Sequence, residues 1–159
     1  ILGKRNSLFR RSNHCSLAYR KAKAHGIPVQ YLKSYRDVLF PKHGAPKWSW
    51  ANHWRINTPM GDVMFQHQSS APTSDAAHHR CNLMVGHAHG KFEIAYAASP
   101  DFLYWGGTSG CLIDNNAAAF SYGQHTKRKP IIGCTVILEG RPVLIPMVLD
   151  KHGRWVGKL

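Results

Sequence analysis

The sequence predicts an α/β domain built on a mixed sheet, and three observations carry that expectation. Two apolar runs, Val63-Met64-Phe65-Gln66-His67 and Leu83-Met84-Val85-Gly86, are short, continuous and bounded by turn residues, the pattern of strands buried on both faces. Between them Ser74 can cap a helix running from Asp75 to Cys81, so the order is strand, helix, strand. Both runs end in histidine: His67 closes the first, and His87-Ala88-His89 follows the second. The carboxyl ends of strands in helix-flanked sheets are where ligands and metals gather.

A chain of 159 residues fits one domain, 1–159, with a core of its own, and 43% hydrophobic residues place it among globular proteins. Charge is the unusual feature: 21 Lys and Arg against 8 Asp and Glu give +13. Twelve of those basic residues precede Gly61, where Asp37 is the only acid. Such a front half suits a polyanion such as nucleic acid, held through phosphate contacts, or else is a solvated basic face. No apolar run approaches the roughly 20 residues of a membrane span and no signal peptide is visible, so the expectation is a soluble, cytoplasmic protein. Cys15, Cys81, Cys111 and Cys134 form no Cys-x-x-Cys pair, which excludes a zinc ribbon or a thioredoxin-like motif. Cys15 beside His14 has no further support as a nucleophile.

Element by element, Ile1 to Arg11 reads as a strand or extended arm. Ser12 to Ser16 supplies cap-type residues before the helix formers Leu17 to Ala24, stopped by Gly26 and Pro28. That places Asn13 and His14 in a loop at a helix start, where backbone N–H groups favour an anion. Gln30 to Phe40 predicts a second short helix ended by Pro41. Lys42 to Pro59 is loop-like, with Trp48, Trp50 and Trp54 packing it onto the core in preference to stacking on bases. After the two buried runs, Phe92 to Tyr96 alternates as a half-buried strand. Phe102 to Trp105 is a short one, and Gly106 to Cys111 reads as a small-residue loop. Asn115 to Phe120 predicts a helical turn and Lys127 to Pro130 a basic loop. A hairpin follows, Ile131 to Leu138 and Val143 to Leu149 around a turn at Glu139-Gly140-Arg141-Pro142.

His87-Ala88-His89 has the spacing of a metal site, because residues i and i+2 of an extended segment face the same way and Gly86 and Gly90 let the backbone turn around them. Asn13-His14, the strand-end His67 and Gly86-His87-Ala88-His89 resemble, in order and spacing, the last three motifs of the calcineurin-like metallophosphoesterases. The text around these motifs is similar to the small versions common in bacteriophages: Arg20-Lys21-Ala22, Gly26-Ile27-Pro28, Lys33-Ser34-Tyr35, Trp48-x-Trp50, Gly110 to Asp114, Phe120-x-Tyr122-Gly123 and Lys129 to Cys134. The resemblance implies a four-layer α/β/β/α sandwich with mixed sheets, lacking its N-terminal strands.

It also implies a metal-dependent phosphoesterase, hydrolysing a phosphomonoester or phosphodiester, including those of nucleic acid. Asn13, His67 and His87 would hold one divalent transition metal (Mn, Zn, Fe or Ni), with His89 on a second and His14 stabilising the transition state and protonating the leaving group. Two such ions activate water and clamp the phosphoryl oxygens. The family's Asp-x-His and Gly-Asp-x-x-Asp motifs are absent, and Ser12, Cys15 and Gln68 replace a glycine, an acid and a glycine. Without the bridging carboxylate the site is expected to hold at most one ion weakly. The chain resembles the C-terminal two-thirds of the enzyme, completed by a preceding segment or a second chain, in the host cytoplasm if phage-encoded. The alternative is an inactive relative that binds nucleic acid or an assembly partner through its basic surface.

Overall fold

A computed structural model of the chain describes residues 8–10, 13–34, 37–38, 49–113 and 129–158. They fall into two compact units, Ile1–Trp54 and Arg55–Leu159. No helix among the described residues is long and apolar enough to cross a membrane.

In the first unit β1 (Leu8–Arg10) pairs in parallel with β2 (Ser49–Ala51), Phe9 opposite Trp50, and α1 (Asn13–Ala24) lies between them in the chain. Helical backbone begins at Asn13, so Asn13-His14 forms the first turn and not the loop before it. The helix stops as its sequence requires: Gly26 takes φ +69°, the Ile27 N–H reaches Ala22 O and the Gly26 N–H reaches Lys23 O. These two bonds satisfy carbonyls that the last turn would otherwise leave bare. Of the expected helix over Gln30 to Phe40, a 3-10 turn forms at Val29–Tyr31 and Asp37-Val38 are helical. Between them Leu32 is extended, and the Ser34 hydroxyl accepts the Asp37 N–H at 3.1 Å. The short polar side chain has restarted the backbone there in place of continuing it.

The second unit is built on a mixed five-stranded sheet in the order β3-β4-β5-β7-β6. Its strands are β3 (His53–Ile56), β4 (Val63–Gln66), β5 (Asn82–Val85), β6 (Phe92–Ala98) and β7 (Leu103–Ser109). β4, β5 and β7 run parallel, and β6 returns antiparallel on the edge. The α/β class and the mixed sheet are therefore as the sequence predicts.

Both faces of this sheet are covered, which is why β4 and β5 read as unbroken apolar runs. On one face Met64, Cys81, Leu83 and Val85 pack with Ala76 of α2 (Pro72–His79). On the other, Val63, Met84 and Trp105 pack with Phe65, Ile94 and Ile137. Val63 and Leu83 are wholly buried, each worth about 1.5–3 kcal/mol against exposure. α2 starts earlier than Ser74: Pro72 fills its first turn, where a missing N–H costs nothing, and the Asp75 N–H bonds Ala71 O at 2.9 Å. Arg55 ties β3 to the end of that helix, donating to His79 O at 2.9 Å and pairing with Asp62 at 3.2 Å.

The expected loop at Gly106 to Cys111 is corrected: Gly106 to Ser109 continue β7. A Cβ on Gly106 would sit 2.3 Å from the Pro72 carbonyl carbon, and one on Gly107 would sit 2.7 Å from Glu93 O. The glycines are there because backbone from α2 and β6 approaches closely, not because the chain turns. The hairpin β8 (Gly133–Leu138) and β9 (Arg141–Pro146) is also tighter than expected, with Glu139 and Gly140 alone in the turn at φ +52° and +95°. Two positive φ values match the strand twist, so Arg141 and Pro142 join the ladder. The indole N–H of Trp105 donates to Gly140 O at 3.0 Å, anchoring the hairpin turn to the sheet.

Outside the described residues lie the expected arm at 1–7, Ser12, Trp48, Asp114, the helical turn at Asn115 to Phe120, and Lys127-Arg128.

Candidate metal centre

Parallel pairing fixes which residues meet at the carboxyl edge. Gln66 stands opposite Val85, and the Gly86 N–H prolongs the ladder to Gln66 O, so the next residues of both strands leave the sheet side by side. His67 and His87 follow at those two ends. His67 Nε2 and His87 Nδ1 lie 3.1 Å apart, with ring centroids 4.8 Å apart at 66°. His87 is exposed and His67 partly so. The structure thus brings together two histidines twenty residues apart in sequence.

Two ring nitrogens in such contact repel unless something positive lies between their lone pairs. A proton carried by one ring meets that need, as does a cation replacing it. Nitrogens 3.1 Å apart, each about 2.1 Å from a shared cation, subtend about 95° there. That angle lies between octahedral and tetrahedral values, so the pair fits two neighbouring corners of a transition-metal shell.

The backbone after β5 differs from the extended segment the spacing suggested. His87 has φ +67°, and the Ala88 N–H bonds Gly86 O at 2.8 Å, closing a γ-turn centred on His87. A second tight turn follows, the His89 N–H on His87 O at 3.0 Å, and the Lys91 N–H closes a third on Ala88 O. His87 and His89 are therefore not successive same-face residues of a strand. Among the described residues no group of three or more His, Cys, Asp or Glu is placed to hold a metal ion; of the expected grouping of His67, His87 and His89, the contact seen is His67–His87.

Asn13 and His14 stand in the first turn of α1, in the other unit; their side chains lie outside the described residues. Two parts of the edge escaped the sequence reading. β7 ends beside β5, with Thr108 opposite Val85, which puts Ser109 to Cys111 on the same edge as the histidines. The segment after Pro130 then braces the histidine loop: the Ile131 N–H bonds His89 O at 2.8 Å and the Cys111 N–H bonds Ile131 O at 3.1 Å. Burial pushes the Cys111 thiol above its ordinary range, with the Ile113 backbone pulling the other way. The adjacent Gly110 at φ +69° was the one local sign of this turn.

No family model, no characterised protein and no solved structure matches this chain.

Proposed function

We propose that this chain carries the histidine half of a metal-dependent phosphoesterase of the calcineurin-like type, with the four-layer α/β/β/α sandwich of that family. The observation that carries the reading is the His67–His87 pair, 3.1 Å apart at the carboxyl ends of two adjacent parallel strands. In this reading His67 and His87 hold a divalent transition metal, with His89 toward a second. Bound there, the metal would polarise a phosphoryl oxygen and lower the pKa of the attacking water. The γ-turn sets the backbone at His87 before a metal would bind, which spares backbone ordering on binding.

The reading is tested with an aryl phosphodiester and manganese, using this chain together with a polypeptide that supplies the Asp-x-His and Gly-Asp-x-x-Asp motifs. The expected result is turnover that disappears on removing the metal and in His67→Ala and His87→Ala. Turnover indifferent to both substitutions would overturn it. A second reading is favoured by the charge distribution, with 12 of 21 basic residues before Gly61. In it the fold is inactive and its basic surface binds a polyanion; the same assay would then give no metal-dependent turnover.

A further inference from the structure

We infer that the first unit binds single-stranded nucleic acid through the surface running from α1 to Lys33, a commitment to one polyanion that rests on the second reading for its charge argument. From Asn13 to Ser34 the chain holds Arg20, Lys21, Lys23 and Lys33 and no carboxylate. Ala22 is buried, whereas Tyr19, Arg20, Lys21 and Lys23 are exposed around the rest of the helix. Past the glycine stop, the 3-10 turn at Val29–Tyr31 presents Tyr31 at 74% exposure, with Lys33 exposed two residues on.

An aromatic ring left that open gives up most of its burial energy, so it is informative beside cations. Lysines and arginines alone would serve any polyanion, including a duplex or an anionic membrane. Cations interleaved with open tyrosine faces instead suit unstacked bases, whose π faces lie on the rings as their phosphates lie along the basic groups. Duplex DNA hides those faces in its stack. The Gly26 turn joins the basic last turn of α1 to the Tyr31 segment, closed by the Ile27 N–H on Ala22 O and followed by the Tyr31 N–H on Pro28 O.

The test is fluorescence anisotropy of the whole chain with a labelled oligothymidylate, a duplex of equal length, and phosphatidylserine vesicles, across a salt series. The inference expects the single strand to bind more tightly than the duplex. Each neutralised phosphate contributes about 0.7 to the salt slope, so Lys21→Ala with Lys23→Ala should lower the slope by about 1.4. Tyr31→Ala should weaken single-strand binding at least about fivefold, from a stacking contribution of about 1 kcal/mol or more, and leave the slope unchanged. His87→Ala should leave binding as it is, separating this surface from the metal centre. Equal affinity for strand and duplex, with Tyr31→Ala without effect, would overturn the inference and leave the basic-surface reading standing. Binding to vesicles with none to either nucleic acid would overturn the inference and replace its partner by a membrane.

Discussion

His87 holds a backbone conformation, φ +67°, that costs a residue bearing a Cβ about 1–2 kcal/mol. Glycine adopts it freely but adds unfolded-state entropy, so His87→Gly should stabilise the fold by about 0.5–1 kcal/mol in a urea titration while weakening metal binding. A loss of stability would mean that the ring is held for packing and not for a ligand. Thr108 poses the opposite case, since its hydroxyl is buried at 2% exposure and finds no hydrogen-bond partner among the described residues. Thr108→Val keeps the shape and removes the stranded polar group, so the same titration should show a gain of about 1–2 kcal/mol. A loss would point to a bridging water that the valine expels.

At the scale of elements, the contact of α2 with β7 is the joint on which the edge depends. Gly106 meets the backbone of Pro72 and Thr73 at distances no Cβ can occupy. Gly106→Ala must push the helix start away from the sheet, and should cost about 2–4 kcal/mol, read from the denaturation midpoint. An unchanged midpoint would show that α2 docks differently. This joint also marks where sequence reasoning stopped. β4 and β5 were legible because burial on both faces makes a run apolar throughout, and the hairpin was legible from its turn residues. The glycines of β7 were misread because their cause, a helix start crossing the strand, is a partner 34 residues away in the chain. The meeting of His67 and His87 was legible, since adjacent parallel strands end together. The γ-turn at His87 was not, because nothing in Gly-His-x-His as text separates an extended segment from three successive tight turns.

For the whole molecule, the basic front half and the histidine edge fall in two compact units, and the proposal for each is testable without the other. The central proposal concerns the edge, where a cation would sit between His67 and His87. The direct measurement is calorimetric titration of metal-stripped protein with manganese or zinc at neutral pH, repeated on His67→Ala with His87→Ala and on His87→Ala with His89→Ala. The account predicts about one weakly held equivalent in the parent chain, because neutral imidazoles without a bridging carboxylate do not offset the repulsion of a second cation. It predicts no binding in either double variant. Two tight equivalents, or binding that survives loss of both facing histidines, would contradict it.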